Sequence, residues 1–305
     1  ATVAGTGPDG SVREADVRQA ATLAAARQIA PLAAPAPAPR QAAAHPAHPA
    51  HPAHRVRPSA AVPAQAAPEP RAPGQAAAAM SAADRLQAMR QVTARLMARS
   101  KREIPHYYLS DAVDLTRAVA WLHERNRELE VSDRLVPAAL LMRATALAAR
   151  KVPQLNGYWT DDHFVPASAV HLGVAISLRG GGLVTPAIHD AADLSPLDLM
   201  LRLRDLVTRA RGGRLRGSEL TDATITVTNL GDQGVELVYG VIYPPQVALV
   251  GFGKVAERPV ATDGMVGARP VVTTTLSADH RATDGYTGAR FLTALSEFLQ
   301  HPEEM

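Results

Sequence analysis

The stretch SADHRATDGYTGARF, residues 277–291, joins two segments of different periodicity. Before it, PVVTTTL (270–276) is β-branched and bounded by a proline, the composition of a strand. After it, ARFLTALSEFLQ (289–300) repeats apolar residues at helical spacing. The change of period places His280 where a strand gives way to a loop, with Asp284 and Gly285 just ahead of a helix. An imidazole near neutral pKa, held by rigid elements and oriented by a carboxylate, is the usual general base. Asp284 has two readings at this point, as the group that orients His280 or as the residue that starts the helix.

Working outward, SAADRLQAMRQVTARLMARSK (81–101) carries Leu86, Met89, Thr93, Leu96 and Met97 on one helical face. LTRAVAWLHERNREL (115–129) is a second helix, and VPAALLMRATALAARKV (136–152) is apolar nearly all round, which predicts a buried helix with Pro137 in its first turn. SPLDLMLRLRDLVTRARGG opens on a serine cap and closes at Gly212. AVHLGVAISL (169–178) alternates and is read as one half-buried strand; ATITVTN (223–229) and QVALVGFGKV (246–255) add two more. Helices and strands mix without strict βαβ alternation. The fold class expected is α/β of the α+β type, a mixed and largely antiparallel sheet covered by helices over residues 81–305.

Residues 31–80 have another character. PLAAPAPAPR, HPAHPAHPAH and PEPRAPGQAAAA hold almost no large apolar side chain, so the segment is expected to be a disordered, stiff linker. His45, His48, His51 and His54 recur every third residue; a metal-binding reading is open, although such histidines mostly belong to linker. Ahead of it, Ser11 and Glu14 have capping-box spacing in GTGPDGSVREADV, so residues 1–30 are read as the back half of a small helical domain. The chain does not begin with methionine, and an upstream segment is expected.

Composition limits the function classes. The 305 residues are 47% hydrophobic, enough for a domain of about 200 residues. No run reaches the roughly 18 apolar residues of a membrane helix. No secretory signal is visible, so the expectation is a soluble, cytoplasmic protein without a membrane partner. The absence of cysteine excludes thiolate metal sites and a cysteine nucleophile in this chain. The net charge of +3 is small and the arginines are scattered, which speaks against nucleic-acid binding.

A second constellation is TVTNLGDQG (226–234), where a strand ends at Thr228 and Asn229 and the chain turns at Gly231 and Gly234. A strand-end hydroxyl and nearby backbone N–H groups can stabilise an oxyanion, or the stretch is a plain strand and turn. The set IPHYYL (104–109), GGLVTPAI (181–188), TVTNLG (226–231), YPPQVALVGFG (243–253) and HRATDG (280–285) resembles the catalytic domain of the dihydrolipoamide acyltransferases, cores of the 2-oxo acid dehydrogenase complexes. GTGPDGSVREADV resembles the second half of that family's peripheral subunit-binding domain, and an Ala/Pro linker is typical of its architecture.

The resemblance implies a chloramphenicol acetyltransferase-like fold and a homotrimer. It assigns the base to His280, with Asp284 beside it, and oxyanion stabilisation to Thr228, with Asn229, Leu230 and Gly231 binding substrate. Coenzyme A is then a substrate, and the lipoyl group rides on a domain outside this chain. Implied partners are a 2-oxo acid dehydrogenase and dihydrolipoamide dehydrogenase, with no metal. A thiol near pKa 8.5 needs a base at neutral pH, and an imidazole near 6.5 can serve, so direct transfer without a cysteine is consistent. TNLG rather than TNGG points by resemblance to acetyl transfer ahead of branched-chain transfer. The competing readings are acetylation of a free small molecule and a non-catalytic structural core. Tyr243 and Tyr286 depart from the family's common residues, and the ending HPEEM lacks the apolar tail that joins trimers into larger shells.

Overall fold

Helix α1 (Ala82–Glu103) lays Leu86, Met89, Thr93, Leu96 and Met97 half-buried against the rest of the domain while Val92 stays exposed, so the sequence periodicity marks the right face. The computed structural model describes residues 82–305 apart from 179–180 and 263; the expected partial helical domain (1–30) and linker (31–80) lie outside the described residues. After α1 come β1 (His106–Asp114), α2 (Thr116–Arg127) and α3 (Pro137–Lys151). Seven strands follow: β2 (Gly157–Thr160), β3 (His163–Pro166), β4 (Leu172–Val174), β5 (Ile176–Ser177), β6 (Leu183–Val184), β7 (Ala187–Ile188) and, past helices α4 (Pro196–Arg211) and α5 (Gly217–Thr221), β8 (Ile225–Asn229). The chain ends with β9 (Ala248–Phe252), β10 (Ala256–Thr262), β11 (Met265–Asp279) and α6 (Gly285–Gln300).

Seven strands form the main sheet, in the order β1-β11-β9-β8-β4-β7 with β10 also on β11. The pairs β4–β8 and β8–β9 are parallel, and the pairs β1–β11, β11–β9, β10–β11 and β4–β7 are antiparallel, as expected for a mixed, mainly antiparallel sheet. One face is covered by helices. There α3 is buried from Ala139 through Ala149 and packs against α6 and α4, with Pro137 at its start. Phe291, Leu295 and Leu299 of α6 are fully buried, each such side chain contributing about 1.5–3 kcal/mol. Ser195 caps α4 by accepting the Asp198 N–H at 3.1 Å.

The other face is covered by the end of α1 and an irregular strap, residues 230–247. A second small cluster forms there from Ile104, Ile242 and Leu249, with Tyr243 against it. The strap lies so close that a Cβ on Gly253 would meet the Glu236 carbonyl oxygen; only glycine permits that approach.

One expectation is corrected. Residues 169–178 are not one strand. The Ala175 N–H bonds the Val227 carbonyl at 2.9 Å, and beyond it Ile176 leaves the main sheet to pair with Val184. Strands β4 and β5 therefore belong to different sheets. The apolar alternation runs on because both pieces bury the same side.

Candidate active site

His280 sits one residue past β11, in the turn that leads to α6, and its side chain is exposed. Its backbone N–H donates to the Pro105 carbonyl at 3.0 Å, which ties this turn to IPHYYL. The ring packs edge-on against Tyr107, centroids 5.1 Å apart, and the Tyr107 hydroxyl lies 2.9 Å from Thr283 Oγ1. Burial pushes the Tyr107 phenol above its ordinary value, so it stays a neutral hydrogen-bonding group.

The residues on either side of His280 are locked. Asp279 is fully buried, and both its oxygens accept from the Arg281 guanidinium: Oδ1 from Nε at 3.0 Å, Oδ2 from Nη2 at 2.7 Å. Asp279 Oδ1 also accepts the Arg281 backbone N–H at 2.9 Å. Arg281 in turn stacks over Trp159, its guanidinium carbon 4.8 Å from the ring centroid. A forked, partly desolvated pair beside a carboxylate that sees no water fixes the main chain through residue 280.

Asp284 caps α6, accepting the Thr287 N–H at 2.8 Å. That bond holds its carboxyl below the ordinary value, and the nearby His280 ring adds to the effect. Of its two sequence readings the structure shows the helix start; its charge acts on His280 through space rather than through a hydrogen bond. The helix begins at Gly285, four residues earlier than the periodicity alone places it.

The second constellation lies elsewhere. Thr228 is half-buried near the end of β8, on the strap side of the sheet, in rank with Gly251 of β9 and Thr275 of β11. Asn229 folds back so that its Oδ1 accepts the Gly231 N–H at 2.8 Å, and Leu230 N–H bonds the Phe252 carbonyl at 3.1 Å. A short 3-10 turn, Gly231–Gln233, closes at Gly234, whose φ is 77°. Beside it a cavity of about 230 Å³ opens at the carboxyl ends of β4, β8 and β9, lined among others by Ser177, Arg211, Asn229, Gln233 and Phe252.

The two constellations do not meet within one chain. His280 lies five residues along the chain from Thr275 of β11, and β8 is two strand spacings from β11, with β9 between them. Strand geometry then puts His280 and Thr228 about 19 Å apart, at opposite ends of the sheet. Sequence reasoning brought out both but not Tyr107, Trp159 or the Asp279–Arg281 fork as the supports of His280. Only the adjacent Asp279 and Arg281 left a local signal, alternate residues at a strand end facing the same way.

The domain is thus a mixed sheet covered by helices, with a histidine turn at one end and a threonine strand end at the other. Residues 79–305 match 2-oxoacid dehydrogenases acyltransferase (catalytic domain), and the chain belongs to that family. The dihydrolipoyllysine-residue acetyltransferase component of the pyruvate dehydrogenase complex of Rickettsia bellii is 30% identical over 71% of this chain and 52% of its own length. A crystal structure of a probable dihydrolipoamide acetyltransferase from Listeria monocytogenes matches with a TM-score of 0.67 and 30% identity, over 70% of this chain and 91% of that one. The cubic core of a pyruvate dehydrogenase multienzyme complex matches with a TM-score of 0.68 and 25% identity, over 71% and 90%. The chain spans about half the length of the curated relatives it matches. No helix among the described residues is long and apolar enough to cross a membrane.

Proposed function

We propose that this chain transfers an acetyl group between dihydrolipoamide and coenzyme A, at a site completed by two copies of the chain. The observation that carries the reading is the separation of about 19 Å between His280 and Thr228 in one subunit. Two groups that far apart cannot serve one thioester, whereas a symmetric neighbour can bring its threonine to this histidine. The homotrimer implied by the resemblance has three such interfaces. The relatives named for the pyruvate dehydrogenase complex support acetyl as the acyl group. By the same reading, coenzyme A and a lipoyl group carried on another domain are the substrates. The complex's dehydrogenase and dihydrolipoamide dehydrogenase are the partners, residues 31–80 are the linker, and the cytoplasm is the compartment.

The chemistry follows from the groups present. His280 takes the proton from the coenzyme A thiol, and the thiolate attacks the acetyl thioester carbon. The carbonyl oxygen becomes an oxyanion, which accepts a hydrogen bond from the Thr228 hydroxyl of the neighbouring subunit. As the tetrahedral intermediate collapses, the dihydrolipoamide sulfur leaves and takes the proton back from His280. Asn229, Leu230 and Gly231 shape the substrate's approach to that hydroxyl. Asp284 caps α6 beside the His280 turn.

The test is transfer from acetyl-CoA to dihydrolipoamide, followed by chromatographic separation and quantitation of the S-acetyldihydrolipoamide formed. Replacing His280 with alanine lowers the rate by about 10²–10⁴-fold with the fold unchanged by circular dichroism. A folded His280→Ala protein that keeps most of its activity removes the histidine from the mechanism.

A further inference from the structure

A second histidine, His106 of IPHYYL, takes no part in that chemistry, and its ring bridges two separate segments of chain. Its Nε2 lies 3.2 Å from the Ile242 backbone N–H and its Nδ1 lies 2.9 Å from the Ile104 carbonyl oxygen. A backbone N–H can only donate, so Nε2 accepts; the neutral ring then carries its proton on Nδ1 and donates to Ile104. Both ring nitrogens are therefore used, and only by the neutral imidazole.

These bonds tie the strap to β1, which pairs with the strand leading into His280. Ile242 is gripped at both ends, its N–H by His106 and its carbonyl by the Ser100 hydroxyl at 2.6 Å. Its side chain is fully buried against Ile104 and Leu249. On the other side, His106 pairs directly with Asp279 across the β1–β11 ladder, and the preceding Pro105 carbonyl receives the His280 N–H. The path from the strap to the His280 backbone is thus Ile242, His106, then the paired Pro105–His106 and Asp279–His280.

We propose that His106 is a positioning residue for the acyl transfer: its neutral ring clamps the strap to β1 and so fixes the turn that carries His280. This rests on His280 being the base. The clamp opens on protonation, because a proton on Nε2 would face the Ile242 N–H donor to donor. Burial holds the His106 pKa below the ordinary imidazole value, and Lys101 at the end of α1 pushes in the same direction. The Ile104 carbonyl and the Asp279 carboxylate push it up. The other titratable group against the ring is the Tyr108 phenol, stacked at 5.8 Å. The depressed value means that the unfolded chain binds this proton first. The clamp's stability is full above about pH 6.5 and is lost as pH falls through the lower folded value.

The test compares His106→Gln with His106→Phe in the intact chain, using kcat, KM for coenzyme A, and pH profiles. Glutamine's amide can accept from Ile242 and donate to Ile104 without titrating, whereas phenylalanine keeps the ring and loses both bonds. The expectation is that Phe lowers kcat by about 10- to 100-fold with KM little changed, since small misplacement of a reacting group costs that much. Gln restores kcat. Below the His106 pKa, log kcat falls more steeply with pH in the wild-type protein than in His106→Gln, because only the wild-type clamp takes up a proton. A Phe variant with wild-type kcat, or Gln as slow as Phe, overturns the clamp. If Phe does not fold, the slopes decide, and an acid limb identical in wild type and His106→Gln overturns it. His280→Ala run alongside separates the two failures: full activity there sinks the base itself, while an inactive His280→Ala beside an unaffected His106→Phe sinks only the clamp.

Discussion

Removing Arg281 tests how the turn around His280 is held. In Arg281→Met the thioether still covers Trp159, but Asp279 loses three guanidinium contacts of 2.7–3.1 Å and keeps the backbone N–H of residue 281. Asp279 is 0% exposed, so water cannot replace what is lost. Removing one partner of a buried pair costs about 3–5 kcal/mol. The Arg281 side chain is 30% exposed and already partly hydrated, which favours the lower end, about 3 kcal/mol. For a domain of this size that is a fall in Tm of about 6–12 °C. Urea unfolding of wild type, Arg281→Met, Asp279→Asn and the double variant measures it. The double variant is expected to be more stable than the sum of the single losses predicts, because the charge left unpaired in one single variant is gone. The transfer rate of Arg281→Met falls together with its stability. A loss below about 1 kcal/mol with no coupling would class the pair with exposed ion pairs and refute the argument.

Three further outcomes follow from single contacts. Asp284→Asn keeps the helix cap and most of the transfer rate, whereas Asp284→Ala lowers the melting temperature; an Asn variant as slow as His280→Ala would give the carboxylate a direct chemical role. Glu219, buried on α5, is held below the ordinary carboxylate value by its bond from Arg209 at 2.7 Å, with the Arg216 N–H adding to it. Its stabilisation is full above about pH 4.3 and is lost as pH falls through the lower folded value, so Arg209→Met should flatten the acid side of a stability-against-pH curve. Ser277 Oγ is buried without a hydrogen-bond partner, so Ser277→Ala should leave stability unchanged or raise it by up to about 1 kcal/mol in urea unfolding, and a loss would reveal a bond to that hydroxyl.

What was legible in the sequence followed from burial and local chemistry. Helix α3 was readable because it is apolar all round, and α4 because Ser195, Pro196 and Gly212 mark its ends with residues that satisfy or terminate its backbone. The strand-end settings of His280 and Thr228 were readable from the change of period beside them. Strand β1 was not, because it lies at the sheet edge with Ser110, Asp111 and Ala112 all exposed, and alternation needs one buried face. The outer part of β11 escaped for the same reason: Met265 and Val266 are each 73% exposed in the ribbon with β10. The break at Ala175 was hidden because periodicity records which side is buried, not which strand is the partner. The supports of the site, from Pro105 to His280 and from Trp159 to Arg281, join residues more than a hundred positions apart, and no local pattern encodes such a contact.

The claim that the site is shared between subunits has a direct test. His280→Ala and Thr228→Ala, each nearly inactive alone, are unfolded together, reassembled in equal amounts and assayed for acetyl transfer. A mixed trimer has one interface where the Thr228→Ala subunit supplies an intact histidine and the His280→Ala subunit an intact threonine. Random assembly makes about three quarters of trimers mixed, each with one working site in three, so about a quarter of wild-type activity is predicted to return. Activity that stays at the level of the single variants would contradict the shared site.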